Sequence, residues 1–159
     1  MMRNALPKLW RLRDRTFAIC VLMLLQLACG TVRLVSPYDE VLDHGTSDVH
    51  AKVGSFAGKM AAVAGKPEGT YEANQQFYPE VNGQISSLIL RAKADPKNEV
   101  TAKLFAELQK NIGLLQKLHE MGKERGLARA VSDPALSAIE VNCSAILRLE
   151  IAKRRGEDK

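Results

Sequence analysis

Between positions 36 and 155, apolar residues recur at spacings of three, four and seven, the period of an amphipathic helix, and proline- and glycine-bearing breaks divide them into four stripes. Ser36 followed by Pro37 reads as an N-cap with proline at the first helical position, and Asp39 and Glu40 in the first turn suit the macrodipole. That first stripe carries Tyr38, Val41, Leu42, Val49, Val53, Phe56, Met60 and Val63, and Gly65-Lys66-Pro67 ends it. A second runs from Thr70 to about Ala94 through Tyr71, Phe77, Val81, Ile85, Leu88 and Ala92. Pro79 lies inside it and predicts a kink or a break.

After Asp95-Pro96-Lys97, Asn98 can cap a third helix with Val100, Leu104, Leu108, Ile112, Leu115 and Leu118, ending near Gly122. A connector from Lys123 to Ser132 leads to Asp133 and Pro134, again a cap followed by proline. A fourth stripe follows in Leu136, Ile139, Cys143, Ile146 and Leu147, closed by Lys153, Arg154 and Arg155. Helices of roughly 22 to 28 residues are about 33 to 42 Å long. Short connectors favour antiparallel neighbours, so the expected fold is all-α, an up-down-up-down four-helix bundle. Leu104, Leu108, Leu115 and Ile146 are expected in its core.

The first thirty residues follow a different pattern. A basic stretch (Arg3, Lys8, Arg11, Arg13, Arg15) runs into an apolar block, Phe17 to Ala28, followed by Cys29 and Gly30. This is the layout of a secretory signal peptide. The Leu27-Ala28-Cys29 ending resembles the lipobox of bacterial lipoproteins, although Gln26 stands where that family usually has an aliphatic residue. The resemblance implies cleavage before Cys29, lipid on its sulfur, and a membrane partner reached through that lipid. Members retained in the inner membrane typically carry Asp after the cysteine, so Gly30 points to the outer membrane. Two other readings stay open: cleavage after Gly30, giving a lipid-free product, and an uncleaved anchor, since the uncharged run between Arg15 and Arg33 sits at the lower edge of spanning length, about 17 residues.

The expected organisation is a signal peptide over residues 1–28, a tether over 29–35, the helical domain over 36–155 and a tail over 156–159. Five of the 23 Lys and Arg residues and one of the 18 Asp and Glu residues precede Cys29, so the mature side chains are close to neutral. The sequence pI near 9.2 therefore belongs largely to the leader and gives no warrant for a nucleic-acid partner. Once Cys20 has left with the leader and Cys29 is acylated, Cys143 has no disulfide partner within the chain.

Further segments, Val35-Ser-Pro-Tyr-Asp39, Ala73-Asn-Gln-Gln-Phe-Tyr78, Arg91-Ala-Lys-Ala-Asp-Pro-Lys-Asn98, Leu118-His119 and Ala145-Ile-Leu-Arg-Leu-Glu-Ile-Ala-Lys153, resemble those of small uncharacterised helical lipoproteins of proteobacteria. That resemblance implies export and a helical domain, and it brings no catalytic residue.

Chemistry is sparse. His44 and His50, six apart, point in different directions on a helix and make a poor metal pair; His44 with Asp48 could hold a metal only weakly. No c-type haem, nucleophile-elbow, phosphate-loop or zinc-protease motif occurs, so no cofactor, metal or catalytic residue is assigned. Cys143 reads as a small hydrophobe, His119 as a core histidine bonded to a neighbouring helix, and Glu150 as a partner for Arg154 one turn on. The expected function is a non-enzymatic interaction or structural module with an envelope protein partner. The alternative is a periplasmic small-molecule binder with a pocket near Pro79 lined by Phe77, Tyr78 and His119; an enzyme using His119 with Glu150 or Cys143 is a third reading. Lys153, Arg154 and Arg155 are candidates for contact with a membrane surface.

Overall fold

Helix α1 spans Glu40–Val63, and its cap is Asp39 rather than Ser36: the Asp39 carboxylate accepts from the backbone N–H groups of Val41 and Leu42. The computed structural model describes residues 35–157, so the expected signal peptide and Cys29 lie outside the described residues. A 3-10 turn at Pro67–Gly69 follows α1, and Thr70 caps the single turn α2, Tyr71–Asn74. Helix α3, Phe77–Lys93, begins after a break at Gln75 and Gln76. Pro79 falls in its first turn, where the missing N–H would have had no intrahelical partner.

Helix α4 spans Glu99–Gly122 and α5 Arg129–Glu157. Asn98 flanks α4 but gives it no side-chain cap. The α5 boundary differs from the expected start at Asp133. Ser132 N–H and Val131 N–H both bond the Ala128 carbonyl, so the helix forms ahead of Pro134 and carries the proline inside its second turn.

Every regular element among the described residues is helical. Helix α4 packs between α3 and α5, and α1 also contacts both. The core is one cluster: Leu42, Val49, Val53, Phe56 and Met60 from α1; Tyr78, Val81 and Ile85 from α3; Phe105, Leu108, Ile112 and Leu115 from α4; Ile139, Cys143 and Ile146 from α5. Each large apolar side chain fully buried there contributes on the order of 1.5–3 kcal/mol. Leu104 and Leu118 are only half-buried, and Phe105, which the expected stripe omitted, is fully enclosed. Val41 and Val100 face solvent. No helix among the described residues is long and apolar enough to cross a membrane.

Candidate functional site

Two buried polar clusters close the helical domain, one at the start of α1 and one at its end. The first gathers residues far apart in sequence. Lys153, one turn before the end of α5, donates to Glu150 Oε1 at 2.5 Å, Asn98 Oδ1 at 2.6 Å and Thr101 Oγ1 at 3.2 Å. Ser36 donates to the same Asn98 oxygen, and the second Glu150 oxygen accepts from the Asp39 backbone N–H. Arg91, near the end of α3, reaches both Asp39 carboxylate oxygens. The Glu150 and Lys153 side chains are 0% and 2% exposed.

These contacts revise two sequence expectations. Glu150 pairs with Lys153 three residues on rather than with Arg154. Lys153, a candidate for contact with a membrane surface, is instead enclosed, because Asn98, Thr101 and Glu150 supply its amine with three oxygens in place of water. Arg154 lies with its guanidinium carbon 5.0 Å from the Tyr38 ring centre, a cation–π contact, and Arg155 is exposed. The Tyr38 hydroxyl donates to Asp43, and that bond, which favours the protonated form, raises its pKa above the usual tyrosine value.

The second cluster surrounds His119. The Gly69 carbonyl can only accept, so His119 Nε2 carries the hydrogen and donates across 2.9 Å; Nδ1 then accepts from the Tyr78 hydroxyl at 2.8 Å. Burial is the main cause that pushes the Tyr78 pKa far up, keeping that hydroxyl a donor. Phe56 stacks on Phe77 with centroids 3.8 Å apart, and Tyr71 meets the His119 ring edge-on. Backbone approaches closely here: a Cβ on Gly126, at φ +63°, would lie 2.4 Å from the Gly69 carbonyl oxygen.

Tyr78 and His119 are therefore enclosed, with both imidazole nitrogens engaged, and Phe77 is half-buried against Phe56. None of the three lines the groove beside Pro79. That groove, of about 630 Å³, is open and is formed by Tyr71, Gln75, Gln76, Pro79, Asn82 and Gln116 among others. Cys143 is buried on α5, and desolvation pushes its thiol up to about 11, which suppresses the thiolate needed for nucleophilic attack. His44 lies 3.9 Å from Glu40 on an exposed surface, and His50 lines a shallow cavity between α1 and α5. Among the described residues no three His, Cys, Asp or Glu side chains gather where they could hold a metal ion.

The polar cluster around Lys153 was missed by periodicity. Ser36, Asn98 and Thr101 look like ordinary capping and surface residues, and only their joint burial makes them a site. A signal was present in Glu150, whose spacing from Cys143 and Ile146 puts it on the apolar stripe. Comparison with protein-family models, curated proteins and solved structures finds no match to the chain.

Proposed function

We propose that this chain is a lipid-anchored protein of the bacterial envelope whose up-down-up-down four-helix bundle is a non-enzymatic interaction or structural module, with lipid on Cys29 facing the periplasm and the outer membrane as its location. The observation that carries the module reading is the closure of the interior. His119, Tyr78, Cys143, Glu150 and Lys153, the groups best able to do chemistry, are sealed and, apart from the thiol, bonded to one another or to nearby polar groups. Small-molecule sites enclose most of their ligand in a concave, mostly apolar pocket. The groove at Pro79 is open and lined by amides, which weakens the binding-protein alternative.

The location rests on the leader-like layout ending in Cys29. Three acyl chains would hold the domain stably, since a single chain is marginal and two signals suffice. Cys29→Ala should accumulate as uncleaved precursor, read by mass spectrometry of envelope fractions. Normal maturation to a lipid-free product would refute the anchor. Fractionation with the inner membrane would refute the outer-membrane assignment alone.

A further inference from the structure

Ahead of α1, residues 36–39 run along one end of the domain without regular structure, and polar contacts do most of the holding. The Ser36 hydroxyl donates to Asn98 Oδ1 at 2.6 Å, the Tyr38 N–H to Glu157 at 3.1 Å and the Asp39 N–H to Glu150 at 3.1 Å. The Tyr38 ring lies against Arg154, and its hydroxyl donates to Asp43. No backbone–backbone hydrogen bond among the described residues joins residues 36–38 to a helix. Little apolar surface is buried: Pro37 is exposed, Tyr38 is half-buried and Val35 is 50% exposed. A cavity of about 350 Å³ separates the segment from the turn between α3 and α4, at Ala94, Asp95 and Asn98, so dispersion contacts are missing on that side.

The ion pair beneath is complete without this cover. Lys153 holds Glu150, Asn98 and Thr101, and the Thr101 hydroxyl also donates to Asn98 Oδ1. With Ser36, three donors converge on one carbonyl oxygen that has two lone pairs; without it, two remain. Glu150 would keep Lys153 on Oε1 and exchange the Asp39 N–H on Oε2 for water. Departure of the segment therefore strands no buried group, and neutral hydrogen bonds traded for water contribute little net. Asp39 need not move: its carboxylate caps α1 and takes Arg91, which makes it the hinge. Pro37 stiffens the piece beyond the hinge, since its ring fixes φ and restricts the residue before it, so Ser36 and Tyr38 move together.

We propose that residues 36–38 are a strap that swings open about Asp39 as one unit while the helices stay folded, unsealing Glu150 and Lys153 and adding about 10 Å to the chain ahead of α1, at roughly 3.3–3.6 Å per residue. Local openings of this kind need only a fraction of the global unfolding free energy. The opening does not depend on lipid. Its use, a domain held close when the strap is shut and given longer reach when it is open, rests on the anchored reading.

Amide hydrogen exchange on the full chain, followed residue by residue by NMR, tests it. The Tyr38 and Asp39 amides should share one protection, at least about a hundredfold below that of Cys143 and Ile146 in the core. Urea at about 1 M should leave it unchanged while lowering protection in the core, because the denaturant slope scales with the surface exposed. Ser36→Ala, which alters neither amide, should lower protection at both by roughly fivefold, equivalent to a hydrogen bond of about 1 kcal/mol, with the core unchanged. Acetylation of Lys153 by acetic anhydride, mapped by mass spectrometry, should accelerate by the same factor, since the opened amine meets the same neighbours in both chains.

Protection at Tyr38 and Asp39 equal to that of the core, or absent altogether, overturns the proposal: the segment then opens only with the whole domain, or never closes. Protections that differ from each other by more than about tenfold, or a response to Ser36→Ala at Tyr38 alone, show residues moving singly and also overturn it. So does faster amide exchange with unchanged acetylation of Lys153, because the strap then seals nothing. Mass spectrometry of Cys29 decides the anchor separately: an unlipidated Cys29 removes the use made of the added reach and leaves the opening standing.

Discussion

Lys153→Met should unfold the domain far more readily than the loss of an ordinary surface lysine. The methionine fills much of the same volume but removes all three donors, leaving the fully buried Glu150 carboxylate with only the Asp39 N–H and stranding Asn98 and Thr101 with one donor fewer. Breaking a buried pair by removing one partner costs about 3–5 kcal/mol, against a total stability on the order of 5–15 kcal/mol for a domain. For a domain of this size that is a fall in Tm on the order of 10–20 °C. Urea unfolding followed by circular dichroism gives the change directly from the midpoint at constant slope. Adding Glu150→Gln should recover at least about 1 kcal/mol, because the amide oxygen still accepts from Asp39 and no buried charge remains. A single-variant loss below about 1 kcal/mol, or a double variant no more stable than Lys153→Met, would refute the view that this amine serves the fold.

Gly126→Ala should cost roughly 2 kcal/mol or more, since the new methyl meets backbone and the left-handed φ is strained for alanine; a midpoint equal to that of the unaltered chain would contradict the close approach to Gly69. Tyr78→Phe removes the donor to His119 Nδ1 and should destabilise by about 1–3 kcal/mol, measured by the same unfolding assay. Cys143 has a raised pKa in the folded chain, so its contribution is intact below the unfolded thiol pKa of about 8.5 and is lost as pH rises through about 11. Stability should therefore decline over that window, and Cys143→Ala should flatten part of the decline.

Helical class and the four long stripes were legible because each depends on local spacing; the break expected at Pro79 falls instead at Gln75 and Gln76, and the proline sits in the first turn of the helix that follows, where its missing N–H costs nothing. Helix starts were harder. Ser36 with Pro37 and Asp133 with Pro134 both match the cap-then-proline pattern, yet the chain uses Asp39 and a start at Arg129. In the first case Ser36 is drawn into Asn98, and in the second the Ala128 carbonyl starts the turn before the proline arrives. Burial of His119 and Cys143 followed from their stripe positions. That Lys153 would be enclosed did not, since lysine in a last helical turn suits the macrodipole equally well, and only the arrival of Asn98 and Thr101 from another helix decides the matter.

The fastening of residues 36–39 also sets how the domain bears mechanical load. A pull on the chain ahead of Ser36 does not reach α1 first. It is shared among the Ser36 bond to Asn98, the Tyr38 N–H bond to Glu157, the Asp39 N–H bond to Glu150 and the Arg91 ion pair, which deliver it into α3, α4 and α5 side by side. Several bonds strained together yield only when all of them fail, whereas a helix peeled from its end loses them one at a time. Forced unfolding is governed by the height of that first barrier, so the segment works as a strain relief: tension is divided among three helices at one end of the domain before any of it can peel α1.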